Sequence, residues 1–250
     1  LSSRVEICPR CGYDNLMRQN GVSMLGEVVL NGQYLVGRYL GRGGFGITYI
    51  GYDLLLQRRV AIKEYFPSHI VGRGEDKTSL IALTGSEEAF QKGRERALRE
   101  GRMAASLGQI PGIVQIYNTF VDNNTVYIVM EYIHGNTLTE YVANQPGRLS
   151  LSDAMTLLSP IASALQTLHD QKVIHRDVKP DNIMIRQLRK EGVLLDFGAA
   201  RALDATPLLW SVPATPRRSN TIPVCWTVAS ISTPLLPRSF IPLRGSDRRM

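Results

Sequence analysis

Residues 175–182 read His175-Arg176-Asp177-Val178-Lys179-Pro180-Asp181-Asn182, and the interpretation of this octet decides the fold. At roughly 5% usage per residue type, His-Arg-Asp-x-Lys-x-x-Asn has a chance on the order of 10⁻⁴ of arising anywhere in a chain of this length. Fourteen positions after Asn182 comes Asp196-Phe197-Gly198, reached through two short strand-like runs at 183–186 and 192–195. Asn182 and Asp196 offer hard oxygen donors of the kind Mg²⁺ prefers. Lys179 adds a cation two residues from Asp177.

Working outward toward the N-terminus, Val60-Ala61-Ile62-Lys63 is an apolar strand with one cation. Leaving Lys63 buried and unpaired would cost several kcal/mol, so a carboxylate partner is expected. Glu100 is the first choice and Glu95 the second, both on a helix predicted over 86–107. Ser86 stands where a cap is needed, and Phe90, Ala97, Leu98, Met103 and Leu107 form its apolar face. Earlier still, Gly41-Arg42-Gly43-Gly44-Phe45-Gly46 separates strands predicted at 34–39 and 47–52. A dinucleotide-binding turn shares this glycine spacing but must lead into a helix. Here Ile47-Thr48-Tyr49-Ile50 follows, β-branched and aromatic, so the turn is a flap between two strands. Without side chains in the way, such a flap lays backbone N–H groups over phosphates.

Glycine flap, Val-Ala-Ile-Lys, His-Arg-Asp-x-Lys-x-x-Asn and Asp-Phe-Gly, in that order, resemble the motif set of a bacterial, eukaryotic-like (Hanks-type) serine/threonine protein kinase. The resemblance implies an α+β, protein kinase-like fold: a β-rich small lobe with one major helix, plus an incomplete helical large lobe. It implies ATP and Mg²⁺ as cofactors, with Mn²⁺ as a substitute, and protein serine or threonine hydroxyls as acceptors. By the same resemblance Asp177 accepts the hydroxyl proton, Lys179 holds the γ-phosphate and Lys63 the α/β-phosphates. Asn182 and Asp196 hold the metal. Gly41, Gly43, Gly44, Phe45 and Gly46 form the flap. Leu40, Thr48, Ala61 and Met184 line the adenine slot, and the backbones of Glu131 and Ile133 bond the base. Phe45-Gly46-Ile47-Thr48-Tyr49 and Lys63-Glu64-Tyr65-Phe66-Pro67 look most like a bacterial subgroup with a cysteine-rich segment before the kinase. The long interval from Lys63 to Glu100 implies an insertion over 67–84, expected as a loop broken by Gly72, Gly74 and Gly85.

Four regions follow: a partial cysteine-rich leader at 1–30, small lobe and hinge at 31–134, partial large lobe at 135–203, and a tail at 204–250. A strand is predicted at 125–132 after the turn Asp122-Asn123-Asn124. An amphipathic helix is predicted at 151–170, capped by Ser150 or Ser152, with Leu157, Leu158, Ile161, Leu165 and Leu168 on one side. The tail has seven prolines, eleven serines or threonines and six arginines, with no lysine, glutamate, glutamine, tyrosine or histidine. No activation-loop anchor or further large-lobe helix is found in it. Its composition reads as disorder or as translation out of frame, the second preferred. Without those helices the chain is expected to be poorly folded and impaired in transfer; the other reading is a catalytically silent nucleotide-binding fragment acting as an interaction module.

Of 250 residues, 44% are hydrophobic and 20% charged, ordinary for a globular protein. The net charge of +7 is concentrated in the tail and forms no basic stripe elsewhere, so nucleic acid is not an expected partner. No membrane-length apolar run or signal segment is present, and a cytoplasmic location is expected. Cys8 and Cys11 in Cys8-Pro9-Arg10-Cys11-Gly12 make half of a zinc site; with Cys225 far away, zinc is not expected.

Overall fold

The computed structural model describes residues 28–44, 46–198 and 200–202. Its centre is a six-stranded antiparallel sheet, made of β1 (Val29–Leu30), β2 (Tyr34–Arg42), β3 (Gly46–Asp53), β4 (Arg58–Tyr65), β7 (Ile116–Asp122) and β8 (Thr125–Glu131). The strand order is β1-β2-β3-β4-β8-β7. Tight turns set the register. Asn31 and Gly32 take φ of 49° and 63° between β1 and β2, and Asn123 and Asn124 take 48° and 58° between β7 and β8. The second pair makes a two-residue hairpin turn and the first lies in a three-residue connection; Asn and Gly are the least strained residues at such left-handed positions. At the β3–β4 turn the buried Asp53 carboxylate accepts the N–H groups of Leu55 and Leu56 and the amide of Gln33.

β1 belongs to the sheet, so the expected leader boundary at residue 30 falls too late. Leu30 is fully buried and pairs with Tyr34. The cysteine pair and the tail from 204 lie outside the described residues.

The insertion differs from expectation. It is a hairpin, β5 (Val71–Arg73) with β6 (Leu80–Ala82), and Val71 and Leu80 enter the small-lobe core. Gly72 and Gly74 flank or interrupt it without ending it, because its anchorage is a buried charge. Arg73 donates from both terminal nitrogens to Glu64, at 2.6 and 2.5 Å, and Glu64 is fully buried. The hydroxyls of Tyr49 and Tyr127 each donate to the same carboxylate at 3.0 Å. Four donors on one carboxylate satisfy it in a place where an unpaired charge could not persist.

α1 (Glu87–Ser106) packs against β7 and β8. Ser86 occupies the cap position but its side chain makes no capping bond; two glutamates in the first turn favour the helix N-terminus instead. Only Phe90, Gly101 and Ala104 are buried, so the predicted apolar face is narrower than expected.

Beyond β8 come β9 (Gly135–Thr137), α2 (Leu138–Ala143), α3 (Leu151–Asp170) and β10 (Val173–Ile174). β11 (Ile183–Arg186) and β12 (Gly192–Leu194) join β9 in a second sheet, and β13 (Arg201–Ala202) pairs with β10. Thr137 and Glu140 close a reciprocal capping box on α2. Ser150, not Ser152, caps α3, accepting from the Asp153 N–H. Leu157, Ile161, Ala164 and Leu168 are the buried stripe of α3. Leu158, expected on that side, is 37% exposed, since one residue turns the helix by about 100° away from Leu157. β12 lies close on this helix: a Cβ at Gly192 would stand 2.5 Å from the Leu157 carbonyl.

Candidate active site

The flap is the end of the β2–β3 hairpin, longer than the sequence suggests because both strands run on into the glycines. Gly43 N–H bonds the Gly46 carbonyl at 2.9 Å and closes it. A Cβ at Gly41, Gly43 or Gly44 would meet nothing within 4 Å, whereas one at Gly46 would stand 2.8 Å from the Glu64 carbonyl. The first three leave backbone open to an approaching ligand; Gly46 is required by packing on β4. Phe45 lies outside the described residues.

Ala61, Val114, Met130, Ile133 and Val193 form one buried cluster, with Met184 and Leu195 partly buried against it. The structure therefore brings together Ala61 and Met184 of the expected adenine slot, beside Ile133, whose backbone was expected to bond the base. Thr48 is half-buried, and Leu40 is 38% exposed on β2. Val114 and Leu195 were not singled out from sequence; Leu195 had a signal, as the last apolar residue before Asp196. Glu131 N–H is engaged by the Gln115 carbonyl at 2.9 Å. The Glu131 side chain grips Arg186 in a two-point pair at 2.6 and 2.8 Å.

Lys63 extends from β4 into the cleft, where its Nζ lies 2.5 Å from Asp196 Oδ1. This corrects the expected partner. Glu100 accepts from Arg96 Nε at 2.7 Å, one helical turn back, and Glu95 accepts from Gln91. Glu100 is satisfied within its own helix, so it leaves Lys63 to the carboxylate across the cleft. Burial pushes the Asp196 carboxyl up, but the charge and hydrogen bond of Lys63, with the Gly198 N–H, outweigh it and hold the group below the usual carboxylate range. Asp196 sits at φ 54°, a conformation costly for a residue with a Cβ and one that gathers at functional sites.

The octet forms a loop between β10 and β11. Lys179 Nζ donates to both Asp177 oxygens, at 3.0 and 2.9 Å. Asn182 Nδ2 donates to the Asp177 carbonyl at 3.0 Å and to its Oδ2 at 2.7 Å. The bond to Asp177 holds the Lys179 ammonium above its ordinary value. His175, 1% exposed, donates from Nε2 to the Leu195 carbonyl at 2.9 Å and stacks edgewise on Phe197. The Asp177 N–H approaches His175 Nδ1 at 3.4 Å, which fits the neutral imidazole that burial favours. His175 thus ties the octet to Asp196-Phe197-Gly198, a role the sequence did not disclose.

Leu195 N–H bonds the Asn182 carbonyl at 2.7 Å, so Asn182 and Asp196 stand beside one another at the ends of β11 and β12. Among the described residues no three His, Cys, Asp or Glu side chains group as a metal site. Two oxygen-bearing side chains nevertheless fit a cation of the Mg²⁺ type, which is commonly held by one or two protein oxygens together with substrate phosphates and water.

A glycine-rich hairpin tip, an apolar cluster, the Lys63–Asp196 pair and an Asp177 carboxylate held by Lys179 and Asn182 make up the candidate site. Residues 34–217 match the protein kinase domain, and the chain belongs to the protein kinase family, in its bacterial, eukaryotic-like serine/threonine branch. It is 34% identical over 178 residues to the serine/threonine-protein kinase PknA of Nostoc sp., covering 70% of this chain and 29% of that one. To PrkC of Bacillus subtilis it is 34% identical over 180 residues, covering 72% and 24%. A solved structure described as the apo form of PpkA-294 superposes with a TM-score of 0.66 at 33% identity, covering 71% of this chain and 62% of that one. The chain thus spans under a third of the length of these two curated relatives.

Proposed function

We propose that this chain binds ATP with a divalent cation and transfers the γ-phosphate to serine or threonine hydroxyls of proteins, in the cytoplasm. The observation that carries the reading is the Asp177 carboxylate, held by Lys179 and Asn182. Ala61, Ile133 and Met184 take the adenine; the backbone at Glu131 and Ile133 orients it. The flap and Lys63 hold the phosphates. Asn182 and Asp196 would hold a Mg²⁺ or Mn²⁺ ion, which would supply positive charge against the phosphate oxygens. Asp177 receives the proton of the acceptor hydroxyl and aims it, while Lys179 holds that carboxylate and offers its charge to the γ-phosphate. No helix among the described residues is long and apolar enough to cross a membrane.

A second reading, nucleotide binding without turnover, is favoured by the pairing of Glu100 with Arg96. The two separate on transfer from γ-labelled ATP to a generic protein acceptor. With Asp177→Asn, transfer should fall by about 10²–10⁴-fold, the usual value of a positioned general base, while ATP affinity holds. Undiminished transfer by the variant refutes the assignment; absence of transfer by the parent chain, with ATP bound, favours the second reading.

A further inference from the structure

We propose that Arg73, delivered by the β5–β6 hairpin, is a positioning residue for the triphosphate end of the cleft, through Glu64, Phe66 and the flap. The inference rests on the nucleotide-binding reading of the cleft.

Lys63 and Glu64 are consecutive on β4, so their side chains leave opposite faces of the sheet. Whatever fixes Glu64 therefore fixes the backbone from which Lys63 departs. Glu64 is fixed by a two-point bond from Arg73, whose own side chain is 8% exposed. The same guanidinium donates to the Thr78 carbonyl at 2.8 Å in the hairpin turn and to the Tyr49 hydroxyl at 3.1 Å on β3. It ties together the hairpin, β3 and β4.

Both ends of the flap rest on the end of β4 and the residue that follows it. Gly46, where β3 begins, is pressed on the Glu64 carbonyl. Arg42, where β2 ends, has its guanidinium carbon 5.6 Å from the centre of the Phe66 ring. Phe66 is 2% exposed, and the guanidinium carbon of Arg73 lies 5.0 Å from the same ring. Arg73 thus touches the two residues on which the flap is seated. An apolar side chain could anchor a hairpin; a buried two-point ion pair adds one direction and one distance. The phosphate end of the cleft, not the adenine slot, is what that geometry governs.

The test measures affinity of the full chain for Mg-ATP and for adenosine by calorimetry. The double variant Glu64→Gln/Arg73→Met removes both charges and keeps an acceptor for the tyrosines; Arg73→Lys keeps the charge and loses the fork. The double variant should bind Mg-ATP about tenfold more weakly and adenosine within about twofold of the parent. Arg73→Lys should shift Mg-ATP in the same direction by a smaller factor, and it decides the matter if the double variant does not fold. Equal losses for both ligands, or no loss, would overturn the positioning role and leave the cleft reading intact. A parent chain that binds neither ligand would overturn both.

Discussion

Lys63 and Glu64 stand side by side on β4, and the two faces of the sheet treat their charges differently. Glu64 has no exposed surface and four donors; Lys63 is 26% exposed and meets a single carboxylate, itself 36% exposed. On the core side, a charge is tolerated only because every lone pair is taken, so the arrangement has one state. On the cleft side, water can replace either partner, so the bond from Lys63 to Asp196 is exchangeable. A site that must admit phosphates and a cation needs the second kind of pairing, and a scaffold that aims the site needs the first.

The largest expected effect breaks this comparison directly. Glu64→Leu leaves the buried Arg73 charge without its counter-charge, and breaking a buried pair from one side costs about 3–5 kcal/mol. Lys63→Met should cost less than about 1 kcal/mol, as expected of a part-exposed pair, while abolishing productive phosphate binding. Chemical denaturation of the two variants checks this. Comparable losses would mean that the two faces are not distinct in kind.

The next effect concerns His175, the buried group behind the cleft. Burial holds its pKa below the usual value against the Leu195 carbonyl and the charges of Asp196 and Asp177, which act to raise it. Above about pH 6.5 the imidazole is neutral in both folded and unfolded chains, and contributes no pH dependence. Below that, the unfolded chain takes up a proton that the folded chain refuses, so stability falls with pH, by at most about 1.4 kcal/mol per unit. The midpoint in urea should therefore drop between pH 7.5 and 5.5, and His175→Gln should flatten the drop. An unchanged slope in the variant would assign it to other groups. Asp196, whose pKa is lowered, loses its contribution in the same direction but only below about pH 3.8, outside this window.

Much of this was legible in the residues, and the parts that were not share a cause. Leu151–Asp170 was readable because its period, its cap and its length agree. The positions of the flap, Lys63, Asp177, Asn182 and Asp196 on their strands and loops were readable because short motifs fix their neighbours along the chain. The partner of Lys63 was not, since Glu100 and Asp196 can each pair with it, Arg96 competes with it for Glu100, and only distance decides. The hairpin at 71–82 was read as a loop because its stability comes from Arg73 reaching Glu64, a contact with no periodicity. His175 was quoted as part of a motif, but its bond to Leu195 spans twenty residues and leaves no local trace.

The smallest expected effect sharpens the comparison on its exchangeable side. Arg96 and Glu100 form an i,i+4 pair with side chains 51% and 19% exposed, worth about 0.3–0.5 kcal/mol. Arg96→Leu should thus barely move the stability of the chain. It also releases Glu100 on the helix beside the strand that carries Lys63. If Glu100 then competes with Asp196 for Lys63, Asp196 is freed for a cation, and a bias of this size shifts such an equilibrium by about twofold. Mg-ATP should bind about twofold more tightly to Arg96→Leu than to the parent, with adenosine unchanged. In Arg96→Leu/Glu100→Gln the gain should vanish, because the amide cannot compete for the ammonium. A gain that survives the second substitution would mean that Arg96 acts on the cleft by its own charge, and that Glu100 stays with its helix even when its partner is gone.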